Sequence, residues 1–457
     1  MIDLKKAGFF VMLSIVLLLS ACSGNGGGGG SKDLNTGEEK PKSEQGGQKT
    51  VAISVMMKDR FLEAAARKFE EQHKDIHIEI KEYRTSQPAA EGSMSMEAIS
   101  LGDVEKYVQS VTTQVISGKG PDLMLMSELP QDKFVAKKLL VNLNDLMAGD
   151  SSFDQNALYS NIFQASQDGD GIYAMPLSFS ISLFQGNTEL LKNAGLSVDA
   201  DKPWSWKEFK EAAKKLKLND SDKLISLDPT GLLFDFIEDS YNQLVEKGQP
   251  KFDSELFRTM LTDIKSMYED GLLNESFSFN SNKAAFQMVN IFSPEQALTM
   301  PNGLDFYQKP NVSGQKEGSA FRPIYSLGIN SKSAVQQEAW AFIKFLLSEE
   351  MQASPDLSGL PMNKSVNSSK LKEISQKIET GTLETMVPAD MLPDGETAKK
   401  RVDAVEKLIS NAGHRRTSDM KVIMIAMEEF KSFMSGQKSA EEVSKLIQNR
   451  VKTYLNE

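Results

Sequence analysis

The chain has 457 residues, 40% of them hydrophobic and 25% charged, and 63 Asp and Glu against 52 Lys and Arg give a formal net charge of −11. An acidic body of this kind is a poor partner for nucleic acid or for broad adhesion to anionic lipid, and one cysteine excludes any intramolecular disulfide, so packing must hold the fold together. The length is well beyond the range of a single hydrophobic core, which predicts two domains.

The first element is a targeting segment. Lys5 and Lys6 precede an apolar run from Ala7 to Leu19 that is too short to span as a stable membrane helix, and small residues follow it. Leu19-Ser20-Ala21-Cys22 resembles the bacterial lipobox, which implies a lipid on Cys22, the only cysteine, and removal of the peptide before it. Losing Asp3, Lys5 and Lys6, net +1, takes the mature chain from −11 to −12. Residues 23–50 are Gly-rich and then polar, with Leu34 the only large aliphatic residue, so they are read as a flexible tether. Its reach is roughly 30 Å root-mean-square.

The body opens with Val51–Met57, an apolar run read as a buried strand. Phe61, Leu62, Ala65 and Phe69 then repeat at helical spacing behind Asp59, a candidate N-cap, and His77–Lys81 alternates as a strand. Strand, helix and strand make a βαβ unit. A helix from about Val104 to Ile116 leads through Gly118-Lys119-Gly120-Pro121 into a strand over Asp122–Met126, and a further helix covers Gln131–Leu139. A second α/β region starts near Gly171. Its helices are read at Glu189–Ala194, Trp206–Leu216, Phe234–Glu246 and Glu255–Tyr268, with Ser205 and Glu208 as a capping box. Strand Ile324–Ile329 and helix Ala334–Ser348 return to the first pattern, and Thr397–Glu457 is largely helical. Strands alternating with helices predict a mostly parallel sheet covered on both faces.

Five segments in order carry a family resemblance: GKGPDLMLM (118–126), GIYAMP (171–176), NTELLKNAGL (187–196), PWSWKEFKEAAKKL (203–216) and LGINSKS with EAWAFIKFLLS (327–348). Together they resemble the extracellular solute-binding proteins, family 1 type, the maltose-binding-protein-like receptors of ATP-binding-cassette importers. The resemblance implies a two-lobed, periplasmic-binding-protein-like (type II) α/β fold, each lobe a mostly parallel sheet flanked by helices, joined by a hinge. It assigns 51–178 with about 325–375 to the first lobe, about 179–324 to the second, and about 376–457 to helices on the second lobe and hinge. Hinge closure on a solute would make the closed form the one an importer recognises. Where relatives often read Leu-X-Tyr-Asn, this chain has Leu183-Phe184-Gln185-Gly186-Asn187.

Ligands in open α/β sheets lie beyond the carboxyl ends of strands, which selects Met57, Asp59, Arg60, Ser127 and Glu128. The resemblance adds Ser178, Phe179 and Ser180 at the first crossing and Asn290 and Phe292 after a Lys-Ala-Ala-Phe segment. It also adds Phe234, Phe236 and Tyr241 in the second lobe, and Arg322 and Tyr325 near the return crossing. Phe179 is the aromatic expected to face the cleft. Each has a plainer alternative: Asp59 as a helix cap, Phe234 and Phe236 as core, Arg60 and Glu128 as solvated charges. Trp204, Trp206 and Trp340 are read as structural. The expected partners are a small polar solute, carbohydrate favoured, the transmembrane subunits of an importer permease, and the membrane through Cys22. A monomer without cofactor is expected.

No G-x-S-x-G, H-E-x-x-H or phosphate-binding Gly-rich loop occurs. His73 and His77 end a helix and start a strand, so they do not share a metal-binding face, and Asp168-Gly169-Asp170-Gly171 has Phe179 where a calcium loop needs Glu, which leaves a turn. An extracytoplasmic glycan-acting enzyme using paired carboxylates, or a sensory lipoprotein that presents solute to a membrane kinase, are the alternative readings.

Overall fold

The computed structural model describes residues 47–84, 101–196, 198–199, 204–214, 223–273, 284–311 and 318–456. Cys22, the targeting segment and the tether up to residue 46 lie outside the described residues. Strand β1 (Lys49–Val55) begins two residues inside the segment read as tether, because Lys49 already pairs with Ile76 of the parallel β2 (Ile76–Glu82). Helix Arg60–Gln72 joins them. Asp59 caps it, accepting from the Leu62 N–H at 2.8 Å, and Phe61, Leu62, Ala65 and Phe69 bury one face. Helix Leu101–Ile116 leads through a left-handed Gly118 to β3 (Leu123–Leu125), which ends early because Met126–Glu128 coils into a 3-10 turn.

The remaining strands are β4 (Met175–Asn187), β5 (Lys223–Ile225), the hairpin β6 (Val245–Glu246) and β7 (Gln249–Pro250), β8 (Ala284–Ile291), β9 (Leu304–Gln308), β10 (Ala320–Ile329), β11 (Leu360–Pro361) and β12 (His414–Arg415). The main sheet runs β2-β1-β3-β10-β4-β8-β5, with β9 and β11 also on β4 and β12 on β10. It is mixed, not mostly parallel. β1–β2, β1–β3 and β5–β8 are parallel, whereas β10 runs antiparallel to β3 and β4, and β4 runs antiparallel to β8 and β9. A chain that leaves one half of the sheet on β4 and re-enters on β10 must travel in opposite directions on the two, and this sets the antiparallel centre.

Apolar side chains gather in three cores. Phe179, Ile181 and Leu183 of β4 join the first, with β1, β2 and helix Gln336–Leu346, and Phe184, one residue further, joins the second with Trp206, Phe209, Phe236 and Phe286. The third lies on the other side of β3: Leu123 and Leu125 point into the first core and Met124 into a cluster with Tyr107 and Phe134. The C-terminal segment, expected on the second lobe and hinge, divides. Helix Gly395–Ser410 packs with Lys364–Glu379 in the first core, and helices Met420–Met434 and Ala440–Asn456 pack in the second. The predicted helix over 234–246 breaks at Ser240 into Pro229–Asp239 and Tyr241–Leu244, after which the β6–β7 hairpin begins.

Candidate ligand-binding site

Helix Pro229–Asp239 is buried on nearly all sides, so its three acids, Asp235, Glu238 and Asp239, have to find partners inside the protein. Lys309 meets Asp235 at 2.7 Å and Asp239 at 2.5 Å. Arg416 donates to Asp235 and Glu238, each at 2.7 Å, and to the Ser182 hydroxyl at 2.7 Å. Its Nε lies 3.0 Å from Asp239 Oδ1 as a charge contact without hydrogen-bond alignment. Arg322 completes the set through Glu238. Three carboxylates face three cations, so their formal charges balance, although burial still pushes the Asp235 carboxyl up against the pull of Lys309 and Arg416. Burial pushes the Asp239 carboxyl up, but Lys309, Arg416 and His414 together bring it below the usual range.

Arg322 and Arg416 also line a cavity of about 210 Å³. That is more than ten times the roughly 10–15 Å³ that one water needs. One wall follows β3 and includes Ser127, Gln131, Asp132 and Lys133, and the facing wall includes Tyr241 and Val245 of the second core with Asp419 and Leu455. The walls are pinned by polar contacts. Lys133 sits 3.7 Å above the Tyr454 ring, Tyr454 donates to Asp419 at 2.8 Å, and Arg415 donates to Asp168 at 3.3 Å. Asp168 also accepts from Gln131 and closes a turn against Gly171, as the sequence predicts.

Beside the cavity lies a second polar group. Tyr325 donates to Asp59 at 2.5 Å and packs against Phe61. Burial raises the Glu128 carboxyl, the Met56 backbone N–H opposes that and Asp59 adds to it; Glu128 Oε2 has no hydrogen-bond partner among the described residues. Asp59 is therefore both helix cap and polar contact, while Met57 and Arg60 are exposed nearby.

Of the residues selected from the sequence, Ser127, Tyr241 and Arg322 line the cavity, and Asp59, Glu128 and Tyr325 cluster beside it. The others go elsewhere. Phe179 does not face a cleft: it is 0% exposed, edge-on to Tyr159 and Phe321, so Phe179→Ala is a core truncation and no test of binding. Ser178 and Ser180 are buried on the other face of β4, Ser178 donating to the Ser358 carbonyl at 2.5 Å. Phe236 packs at a tilt against Trp206 in the second core, ring centroids 4.7 Å apart, and Phe234 packs against that core. Asn290 accepts from Ser182 at 2.6 Å, and Phe292 is exposed at the end of β8. Asp132, Asp235, Glu238, Lys309, Arg416 and Asp419 were not selected. Asp132 and Asp419 sit in the first turn or at the cap of a helix, where acids are common for local reasons and carry no separate signal. Among the described residues no group of three or more His, Cys, Asp and Glu is arranged to hold a metal ion, and no helix is long and apolar enough to cross a membrane.

Comparison with solved structures finds MalE, the sugar-binding protein of Xanthomonas citri, at 16% identity and a TM-score of 0.58, covering 89% of this chain and 97% of that one. Maltose-bound MalE3 of T. maritima matches at 17% identity and a TM-score of 0.53, over 89% of this chain and 99% of that one. An ABC substrate-binding protein of Listeria monocytogenes in complex with cycloalternan matches at 16% identity and a TM-score of 0.52, over 90% and 99%. At these identities the likeness speaks for the fold, the two-lobed α/β architecture. Comparison with curated protein sequences finds no match. The sequence profile of the family described as bacterial extracellular solute-binding protein matches residues 56–353, from the end of β1 past helix Gln336–Leu346, and the chain belongs to that family.

Proposed function

We propose that this chain is a receptor that captures a carbohydrate in the cavity between its two sides, closes about the hinge strands β4 and β10, and delivers the solute to an importer permease. The observation that carries this reading is the cavity itself, whose walls come from the segment after β3 on one side and from Tyr241 and the C-terminal helices on the other. A ligand that touches both walls favours the shut form, and a population shift of that kind is what a permease can read. In this reading residues 51–178 with about 325–375 form one lobe, about 179–324 the other, and Cys22 carries the lipid that holds a monomeric receptor on the outer face of the membrane. The saccharides named with the similar structures, maltose and cycloalternan, favour a sugar or oligosaccharide.

A thermal-shift screen over mono- and oligosaccharides, polyols, sugar phosphates and peptides tests the reading. A saccharide at a hundred times its dissociation constant is expected to add roughly 2.7 kcal/mol and raise the melting temperature. A response to peptides alone sinks the carbohydrate assignment. Cys22→Ser is expected to move the protein from the membrane fraction to the medium, and unchanged membrane retention sinks the anchor.

A further inference from the structure

Two of the cavity-lining groups, one on each wall, contrast with the arginines there. The guanidinium groups that line the cavity are engaged, Arg322 with Glu238, Arg415 with Asp168 and Arg416 with Asp235 and Glu238, and Lys133 lies over Tyr454. Lys137 is an exposed cation at the rim. By contrast, the Asp132 carboxylate and the Tyr241 hydroxyl make no hydrogen bond with any described residue, although Tyr241 is only 3% exposed. Neither group is sealed away from accessible space, so both open to the cavity they line, where a ligand group can reach them. The two come from opposite walls. Asp132 stands in the first turn of helix Gln131–Ala136, whose Phe134 anchors in the third core, and Tyr241 heads the short helix anchored in the second.

We propose that Asp132 and Tyr241 form one ligand subsite that bridges the two walls and takes the neutral polyhydroxyl end of a saccharide, Asp132 accepting from one hydroxyl and Tyr241 donating to another oxygen. The assignment rests on the carbohydrate reading above. Burial raises the Asp132 carboxyl, Asp168 and Asp419 add to that and Arg415 opposes it, while burial with the charges of Asp419 and Asp132 suppresses ionisation of Tyr241. A carboxylate or phosphate on the ligand would meet these acids with the lining guanidiniums already committed. A hydroxyl satisfies both groups and brings no charge. Because it bonds to both walls at once, it also favours closure.

Calorimetric titration of maltotriose, xylotriose, galactobiose and digalacturonate into the wild-type chain, Asp132→Asn and Tyr241→Phe, with melting curves of each ligand-free protein, tests this. The neutral probe that binds best is expected to lose about 3- to 10-fold in affinity in Tyr241→Phe and about 10- to 100-fold in Asp132→Asn. Digalacturonate is expected to bind at least tenfold more weakly than that probe. The ligand-free variants are expected to melt at or above the wild-type temperature, since neither loses an internal bond. Unchanged affinity in both variants, tighter binding of digalacturonate, or a fall of several degrees in the ligand-free melts overturns the subsite. If no neutral probe binds the wild type, the carbohydrate reading fails, and the ligand-free melts still decide whether these two groups serve packing.

Discussion

Arg416 is the hub of the largest buried polar network near the cavity, and its weight is set by what it leaves behind. Three acids on one helix, each under a tenth exposed, depend on Lys309, Arg322 and Arg416 for their counter-charge. Burying such a cluster gains little over a well-packed apolar one, but removing one member strands a charge. Arg416→Met, which keeps most of the volume, is expected to cost about 3–5 kcal/mol in urea unfolding. Arg416→Lys is expected to fall between, because an ammonium keeps the charge but cannot reach Ser182, Asp235 and Glu238 in the fork geometry that the guanidinium uses. A cost below about 1 kcal/mol for Arg416→Met would show that the acids are reprotonated or hydrated instead. None of this was legible in the sequence. The spacing of Asp235, Glu238 and Asp239 fits a solvated helix face equally well, and the partners that turn them inward come from β10 and from residues near β9 and β12, between about 70 and 180 positions away.

At the scale of elements, β4 explains both a departure from the family pattern and a misread. Gly186 sits opposite Asp305 of β9, and a Cβ placed there would come within 2.5 Å of the Tyr307 ring and 3.1 Å of Leu191. Tyr307 is held in turn by an edge-to-face contact with Phe286 at 5.8 Å. Gly186 is therefore a space for Tyr307, and Gly186→Val is expected to destabilise by about 1–3 kcal/mol. Tyr307→Leu in the same chain is expected to recover much of that loss, and a double-mutant cycle with no coupling sinks the explanation. Local codes read well here and elsewhere: the Asp59 cap, the Ser205–Glu208 capping box and the stripe Val443, Leu446, Ile447, Val451 and Tyr454, of which Val443, Ile447 and Val451 are buried, all depend on neighbours within a few residues. The alternation Ser178-Phe179-Ser180-Ile181-Ser182-Leu183 is different. It fixes which residues share a face but not what covers each face. Both faces turn out to be covered, one by the first core and the other by Ser358, Arg416 and Asn290, so serines and phenylalanine alike leave the candidate site.

At the scale of the whole molecule, contacts among the described residues tie elements of the third core to elements of the second. Glu105, on helix Leu101–Ile116, pairs with Lys421, on helix Met420–Met434, at 2.5 Å, and Lys133 lies over Tyr454 near the end of the last helix. Glu105 and Lys421 are 48% and 40% exposed, so salt screens them and the pair is worth about 0–1 kcal/mol. An interaction of that size changes the ratio of shut to open forms by no more than about fivefold. In the proposed hinge closure it is strong enough to bias a balanced equilibrium and too weak to replace a ligand. Raising the salt concentration, or substituting Lys421→Glu, is expected to increase the radius of gyration of the ligand-free chain measured by small-angle scattering. A saturating saccharide is expected to return both to the same compact value, because contacts from both walls to one ligand outweigh a single exposed pair. A radius that ignores both salt and Lys421→Glu sinks the role of the pair. A radius that responds to them but not to the saccharide would mean that the cavity binds without closing, which separates capture from the signal a permease needs.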